Sequence, residues 1–389
     1  MDNISVIQKA DCSGCHSCYN TCNKNAITME YDSEGFLYPV VNDSCVSCGA
    51  CLNACPVNNP PIKLKSKEFY ACFANDTDTQ KASSSGGLFA LLASEIIKNG
   101  GYAFGAAFDN DFSVCHIEAN SIEELNCLKG SKYVQSKIGQ TYKRVKKLLL
   151  DGNTVLFSGT PCQIAGLNSF LKNKSYDNLI CVDLICHGVP SPAVWQKYLK
   201  ETCGDKKIEA VLFRDKKNMP KNEQMTINLT DGNEISCPSN SDLYKIGFIK
   251  NLYLRRSCFN CHNKGIERSS DITIGDFWGI NDCLPNFSNG YGVSSCIIRT
   301  EKGKALFDSI KDKMTVSQIG KNDISLWNEC LLQSVAQTPM RNEFYEIWQD
   351  KTVKEAVLEI TEKYKDWNKP AQKTSSISRI KSIIRRIIK

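Results

Sequence analysis

The spacing of apolar residues predicts alternating strands and helices from about residue 68 onward. Short apolar runs at 154–157 and 179–185 have the length and composition of buried strands. Apolar positions recur at helical spacing in 88–98 and 193–200. Asp231-Gly232-Asn233 separates two further strand-like runs and predicts a hairpin turn. This alternation predicts a mixed α/β core over residues 68–340.

The N-terminal part has a different organisation. Residues 27–31 and 36–40 predict two short strands around a turn at Gly35, and they separate two cysteine-rich runs. The polar, proline-containing stretch 58–67 follows and is typical of a linker. We therefore expect a first domain over residues 1–60, and an α+β arrangement in front of the α/β core.

Composition limits the classes of function. The 389-residue chain has 21 cysteines, too many for incidental thiols, and it is too long for a small disulfide scaffold. Its net charge of +6 comes from the last 19 residues, which hold six basic residues and no acidic one. The remainder is formally neutral and lacks the broad basic face of nucleic-acid-binding proteins.

The cysteine runs have the spacing of iron–sulfur ligands. Each run reads C-x2-C-x2-C-x3-C, where three thiolates bind one 4Fe–4S cluster and the fourth reaches a second cluster. On this pattern one cluster is held by Cys12, Cys15, Cys18 and Cys55, and the other by Cys45, Cys48, Cys51 and Cys22. Structural zinc is the alternative, although zinc sites do not require this three-residue period. The sequence predicts a bacterial-type two-cluster ferredoxin domain.

Two strand–helix junctions of the core carry candidate ligand-binding residues. The run SSSGG at 83–87 precedes a helical pattern and offers hydroxyl caps and free backbone N–H groups, either as a phosphate cradle or as plain N-capping. Thr160, Pro161 and Gln163 predict a capped helix start. Cys162 then lies in the first turn, where the helix dipole lowers a thiol pKa unless the cysteine is simply buried and inert.

Two further motifs lie beyond these junctions. His187, after a predicted strand, is either an acid–base group or ligand, or a hydrogen-bonded turn histidine. Cys258-x2-Cys261 is a single CxxC pair, compatible with zinc, a cluster or a redox dithiol. The cations around it favour anionic thiolates, and they are Arg255, Arg256, Lys264 and Arg268. Trp278 could cover a flat cofactor ring or pack in the core.

Six motifs in order resemble the coenzyme F420-reducing hydrogenase and dehydrogenase beta-subunit family. They are SSSGG (83–87), KGSKYVQ (129–135), SGTPCQ (158–163), CHGVPSP (186–192), CFNC (258–261) and GDFWG (275–279). The resemblance implies an FAD-binding core with its own 4Fe–4S cluster. It makes candidate FAD contacts of Ser84, Ser85, Gly86, Gly87, Lys132, Tyr133, Thr160 and Gln163, and candidate ligands of a third cluster of Cys162, Cys186, Cys258 and Cys261.

The expected function is an iron–sulfur flavoprotein oxidoreductase, because a flavin takes electrons in pairs and a cluster carries one at a time. Its redox partner is expected to be a ferredoxin-like donor or a small molecule similar to coenzyme F420. The alternatives are a non-catalytic electron-transfer subunit that feeds a separate enzyme, and a zinc-stapled interaction protein. No catalytic residue follows from the sequence; Lys132, His187 and Asp276 are the residues most worth substituting.

The chain end predicts a basic amphipathic tail over 371–389. Isoleucines recur there at helical spacing with basic residues largely elsewhere on the wheel, as in helices that lie on anionic membranes. A solvated terminus and a helix that docks on a partner subunit are the alternatives. With no signal-like N-terminus and no apolar run of membrane-spanning length, we expect a cytoplasmic protein with peripheral membrane contact at most.

Overall fold

The computed structural model describes residues 3–366. The basic tail predicted over 371–389 lies outside the described residues. No helix of the described part is both long enough and apolar enough to span a membrane.

The described residues form three sheets. The strands are β1 (Ile27–Tyr31), β2 (Leu37–Val41), β3 (Glu68–Ala74), β4 (Tyr102–Phe108), β5 (Val114–Ala119), β6 (Val155–Gly159), β7 (Leu179–Leu184), β8 (Ile208–Asp215), β9 (Gln224–Leu229), β10 (Glu234–Pro238), β11 (Ile272–Asp276), β12 (Ser294–Ile298) and β13 (Met314–Gln318). The largest sheet has eight strands in the order β13-β3-β12-β11-β7-β6-β4-β5. Its four central strands, β11, β7, β6 and β4, are parallel, and antiparallel strands flank them.

The described residues also form fifteen α-helices. They are α1 (Ser17–Thr21), α2 (Ala50–Asn53), α3 (Thr77–Lys81), α4 (Leu88–Lys98), α5 (Ile122–Leu128), α6 (Thr141–Leu150), α7 (Pro161–Phe170), α8 (Pro192–Cys203), α9 (Leu243–Ile249), α10 (Ile280–Cys283), α11 (Glu301–Asp308), α12 (Lys321–Ser325), α13 (Glu329–Leu332), α14 (Pro339–Ile347) and α15 (Val353–Lys363). Three short 3₁₀ helices span Ile4–Val6, Arg256–Asn260 and Lys311–Lys313. The mixed α/β architecture is confirmed.

Several predicted elements agree closely with the structure. The helix predicted at 88–98 is α4, and the strands predicted at 154–157 and 179–185 are β6 and β7, each within two residues. The predicted hairpin joins β9 and β10, with Ile227 paired to Ile235 and Gly232 at φ +82° in the turn. In these segments the local hydrophobic pattern therefore predicted both the type and the position of the element.

The N-terminal domain packs against the core through the β1–β2 turn. The carboxylate of Glu34, in this turn, is bound by Arg341 of α14 at 2.5 Å and by Arg256 at 2.6 Å. Its backbone oxygen accepts a hydrogen bond from Ser191 Oγ at 2.6 Å. The adjacent Gly35 has φ +78° and lies against Ala193 of α8, so a side chain there would collide. These contacts fix the ferredoxin-like strands on the core.

Candidate functional site

The first predicted set of cysteines is gathered around one small apolar cavity. Cys12, Cys15, Cys18 and Cys55 line it, although 37 to 43 residues separate the last from the others in the sequence. Burial raises the pKa of Cys15 and Cys18, and repulsion from the other thiols of the set raises it further. Four mutually repelling thiols around an apolar space fit a cubane cluster, which binds them all as thiolates.

The second predicted set lies nearer the protein surface. Cys51 is buried in the same apolar cluster that contacts Cys22, and repulsion from Cys45 contributes to the raised pKa of Cys51, after burial. The Cys22 sulfur accepts a hydrogen bond from Ala26 N at 3.3 Å. Cys48 is exposed. The second set is therefore the one with a direct route to solvent.

The third predicted set comes together from three segments of the core. Cys162 lies in the first turn of α7, Cys186 follows β7, and Cys258 and Cys261 flank the end of a 3₁₀ helix. All four line one cavity. Burial raises the pKa of Cys186 and Cys258, and each feels repulsion from the other members of the set. The residues proposed from the resemblance thus share one site.

The expectation of a lowered pKa at Cys162 is wrong. Its thiol is buried, and burial together with the nearby Cys261 raises the pKa, which outweighs a hydrogen bond with Thr160 Oγ1 at 3.1 Å. The helix start itself is as predicted, with the Gln163 side chain accepting from Thr160 N at 2.9 Å. Desolvation is a larger effect than a helix terminus on a fully covered thiol.

The cations around the CxxC pair behave differently from expectation. Arg256 is engaged with Glu34, and Arg268 forms a buried ion pair with Asp183 at 3.3 Å. Lys264 donates to the backbone oxygen of Cys330 at 2.7 Å, and also to that of Cys186. Arg255 donates to the backbone oxygen of Cys12, a predicted ligand of the first set, and its guanidinium also lies 3.8 Å from the Cys12 sulfur. These cations lie near the CxxC cysteines in the sequence, but that proximity did not predict which groups they bind in the fold.

The geometry differs from that of a preformed zinc site. Within residues 3–366, no group of three or more histidine, cysteine or acidic side chains is close enough to hold a single metal ion. Zinc needs its four ligands within about 2.3 Å of one point. A cubane is instead enclosed by thiolates that lie farther apart on its corners. The choice of clusters over single ions therefore rests on the spacing of the cysteines in the sequence.

Helix α7 brings the first and third sets into contact. A methyl group on Gly166 of α7 would lie 2.8 Å from Cys15 Cβ and 3.0 Å from Cys15 Sγ. Cys162, one turn earlier on the same helix, is close enough to contribute to the raised pKa of Cys15. The glycine thus allows the first-set loop to lie directly on the helix that carries a third-set cysteine.

A cavity of about 890 Å³ opens at the carboxyl ends of the parallel strands. Open α/β sheets bind ligands at this edge. Seven of the eight candidate FAD contacts line it: Ser84, Ser85, Gly87, Lys132, Tyr133, Thr160 and Gln163. Gly86 lies behind the wall, where a methyl group would be 2.6 Å from the backbone oxygen of Cys72. Cys186 and His187 line both this cavity and that of the third set.

The serine–glycine loop does not cap α4 with hydroxyl groups, contrary to expectation. The N-cap is Gly87, with φ +91° and no side-chain hydrogen bond. Ser84 Oγ instead accepts from Ser131 N at 2.5 Å, and Ser85 Oγ donates to Val293 O at 2.9 Å. The serines therefore hold the loop in place, and the N-terminus of α4 is left without a side-chain cap.

A buried lysine fixes the underside of this loop. Lys216 Nζ donates to the backbone oxygens of Ser85 at 2.7 Å, Gln80 at 2.9 Å and Tyr291 at 2.6 Å. Burial lowers the pKa of Lys216 to about 8. Burial likewise lowers the pKa of Lys132, whose ammonium donates to two backbone oxygens at 2.8 Å. Both amino groups form their hydrogen bonds beside the end of the cavity formed by the loop.

Sequence reasoning missed Arg214 and Cys330 on the cavity wall, and it left two environments open for Trp278. Arg214 of β8 binds Asp276 at 2.6 Å and Glu223 at 2.7 Å, and it belongs to no recognisable motif. Trp278 is 58 % exposed and lines the cavity, so packing in the core, the commoner environment of tryptophan, does not apply. A cavity wall assembled from distant strands leaves no local pattern in the sequence.

Cys330, another missed residue, lies beside His187 on the cavity wall. The Cys330 sulfur is 3.4 Å from His187 Nδ1, and His187 Nε2 is 2.7 Å from Asn251 Oδ1. Cys330 is half-buried on α13, and burial raises its pKa. His187 is thus a hydrogen-bonded residue at the junction of the two cavities, and it has a polar partner on each ring nitrogen.

The fold and its cysteine sets define an iron–sulfur electron-transfer protein. Residues 5–63 match the family model of 4Fe-4S dicluster domains, and residues 152–322 match the model for the C terminus of the coenzyme F420 hydrogenase/dehydrogenase beta subunit. The resemblance inferred from the motifs is confirmed by these two matches, which cover residues 5–63 and 152–322.

Individual proteins resemble the chain only distantly. No match to the chain was found among curated proteins. Among solved structures, the chain is similar to one from the xenon-derivatised F420-reducing NiFe hydrogenase complex of Methanosarcina barkeri. The identity is 15 %, the match covers 78 % of this chain and 94 % of the other, and the TM-score is 0.45.

Proposed function

We propose that this protein is an iron–sulfur flavoprotein oxidoreductase that passes electrons among three 4Fe–4S clusters and an FAD. One observation carries the proposal. The third cysteine set lies between the first set, which it meets through α7, and the large cavity, with which it shares Cys186 and His187. The third cluster would therefore provide a short path for electrons from the ferredoxin-type clusters to the cavity.

The proposed cluster ligands follow the three gathered sets. The second cluster would be held by Cys22, Cys45, Cys48 and Cys51, close to solvent, and the first by Cys12, Cys15, Cys18 and Cys55, in the interior. The third would be held by Cys162, Cys186, Cys258 and Cys261. This order gives an exposed site for exchange with a redox partner at one end and the cavity at the other. The domain division at residues 1–60 and 68–340 is part of the same proposal.

The large cavity fits a dinucleotide cofactor of FAD type. Its volume of about 890 Å³ lies near the upper end of the range of about 300 to 1,000 Å³ that is usual for ligand pockets. The α4 N-terminus and the neighbouring lysines favour phosphate oxygens at one end. Tyr133, which stacks on Phe248 with ring centroids 4.9 Å apart, offers an aromatic surface for a flat ring. FAD, when bound, would supply the conversion between electron pairs and single electrons.

A second function has its own supporting observation. The family model that matches the core is named for a beta subunit, and Cys48 is exposed at the surface. Both fit a non-catalytic electron-transfer subunit that feeds a separate enzyme. The partner in either case is a ferredoxin-like donor or a small molecule similar to coenzyme F420.

Turnover of a small electron acceptor by the purified chain alone favours the enzyme; turnover only after a second protein is added favours the subunit. A cytoplasmic location is part of the proposal.

Anaerobic purification followed by iron, sulfide and flavin analysis tests the proposal. We expect about twelve iron atoms and one FAD for each chain. Cys258→Ser should lose about four iron atoms, while the matched control Cys127→Ser, on an exposed residue outside every set, should lose none. About eight iron atoms without flavin in the unsubstituted protein would contradict both the third cluster and the FAD, and a colourless zinc protein would contradict all three clusters.

A further inference from the structure

Arg255 is a fully buried cation at the boundary between the N-terminal domain and the core. Its Nε donates to Cys12 O at 2.7 Å, one Nη to Leu37 O at 3.0 Å, and the other to Gln135 Oε1 at 3.0 Å. The guanidinium carbon lies 4.1 Å from the ring centroid of Tyr38. The side chain therefore lies within the first-cluster loop.

The backbone of the same residue belongs to the third-cluster loop. Arg255 O accepts a hydrogen bond from Cys258 N at 2.9 Å, and Arg255 N donates to Val189 O at 3.0 Å. Val189 N in turn donates to Cys258 Sγ at 3.4 Å. The positive charge of Arg255 also acts to lower the pKa of both Cys162 and Cys258, against the larger effect of burial. One residue thus connects the two sets through hydrogen bonds and through its charge.

Arg255 has no acidic partner in the described part of the chain. Ion pairs within 4 Å join Arg256 and Arg341 to Glu34 and Arg268 to Asp183, but none involves Arg255. The sulfur of Cys12, a proposed ligand of the first cluster, lies 3.8 Å from Nη2. Burying an uncompensated cation is costly, so a compensating negative charge is expected nearby. Cluster-bound thiolates on either side would supply it.

We propose that Arg255 raises the reduction potentials of the first and third clusters by stabilising their reduced forms. A cluster gains one electron on reduction and becomes more negative by one charge, while its iron–sulfur bonds stay in place. A fixed cation beside it favours that more negative state, and net charge and hydrogen bonds to sulfur are among the main determinants of cluster potential. Arg255 forms its hydrogen bonds with the loops of the first and third sets, so the second cluster should be affected least.

The inference rests on the proposed function, and its test uses the full chain purified anaerobically with all its clusters. EPR-monitored redox titrations compare the unsubstituted protein with Arg255→Gln, Arg255→Lys and the control Arg256→Gln. The titration step that disappears in Cys48→Ala identifies the second cluster. We expect Arg255→Gln to lower the potentials of the other two steps and to leave the second cluster unchanged. Arg255→Lys should lower them less, and Arg256→Gln should leave all three unchanged.

The outcomes separate this inference from the proposal on which it rests. About twelve iron atoms with unchanged potentials in Arg255→Gln would overturn the role of Arg255 alone. About eight iron atoms in the unsubstituted protein would instead overturn the third cluster. If Arg255→Gln does not retain its clusters, Arg255→Lys decides. If Arg255→Lys retains its clusters with near-normal potentials, the charge of Arg255 is what matters. If Arg255→Lys loses its clusters too, Arg255 serves only to hold the loops together.

Discussion

Gly166 lies so close to Cys15 that a methyl group on the glycine would be 3.0 Å from the cysteine sulfur. The contact joins the N-terminal domain to the core, and it places a proposed ligand of the first cluster on the helix that carries a proposed ligand of the third. Because the side chain of Gly166 is a single hydrogen atom, the Cys15 loop can pack directly on α7. This packing sets how closely the first and third cysteine sets approach each other.

Substitution of this glycine should weaken the contact. We expect Gly166→Ala to lower the free energy of unfolding by about 1 to 3 kcal/mol, because the backbone of α7 and the Cys15 loop must move apart. Chemical denaturation measures the change. Gly105→Ala is the matched control, since a methyl group there has its nearest neighbours at 3.6 Å. Equal effects of the two substitutions would show that the close approach is not tightly packed.

The ion pairs of Glu34 should stabilise the docking of the N-terminal domain. Glu34→Gln leaves Arg341 buried without its carboxylate, and we expect a loss of about 3 kcal/mol at neutral pH. Glu30→Gln, on the exposed side of β1, is the control and should change little.

The effect of Glu34 should also depend on pH in a defined direction. Burial raises the pKa of Glu34, but its hydrogen bonds from Arg341 and Arg256 outweigh this and lower the pKa below its usual 4.5. Because the folded-state pKa is the lower one, the stabilisation is fully present above pH 4.5 and is lost as the pH falls through the folded-state value. Chemical denaturation at a series of pH values should show the difference between Glu34→Gln and the unsubstituted protein narrowing only below pH 4.5. A difference that is constant down to the lowest pH would argue against the ion pair.

The ligand set of the third cluster can be tested against its nearest competitor. Lys264 bridges the backbones of Cys186 and Cys330, so Cys330 is a plausible substitute ligand by position. Its sulfur, however, faces His187 and the large cavity. We expect Cys330→Ala to keep about twelve iron atoms and Cys261→Ala to keep about eight. The reverse result in iron analysis would move the fourth ligand to Cys330.

The loop at 83–87 should depend on the buried ammonium beneath it. We expect Lys216→Met to weaken FAD binding about tenfold, equivalent to about 1.4 kcal/mol, because three backbone oxygens lose their shared donor. Flavin fluorescence titration of the deflavinated protein measures the affinity. Lys217→Met, which removes only exposed ion pairs, is the control. Unchanged affinity in both variants would separate the loop from flavin binding.

Local patterns in the sequence predicted several helices and strands well. The spacing of the two cysteine runs predicts that Cys55 joins the first set, and Cys55 lines the same cavity as the other three cysteines of that set; the ligand assignment itself stays a prediction. The capping signal at Thr160 and Gln163 placed the start of α7 correctly. Such features depend on neighbours within a few residues.

Long-range packing accounts for what could not be predicted. The raised pKa of Cys162 comes from burial by distant segments, and the position of Arg214 in the cavity wall comes from the three-stranded sheet. The roles of Arg255 and Arg256 differ completely, although the two are adjacent in the sequence. The two side chains bind different parts of the docked N-terminal domain. No local sequence pattern describes these long-range contacts.

Anaerobic stopped-flow reduction tests most directly whether the third cluster connects the ferredoxin domain to the flavin. A reduced ferredoxin-type donor is mixed with the unsubstituted protein, Cys258→Ser and the control Cys127→Ser, each loaded with FAD, and flavin bleaching is followed by absorbance. We expect rapid bleaching in the unsubstituted protein and the control. In Cys258→Ser the N-terminal clusters should still be reduced, while flavin bleaching slows by at least about tenfold, a barrier of about 1.4 kcal/mol or more. Equally fast bleaching in Cys258→Ser, with its third cluster absent by iron analysis, would contradict the proposed path.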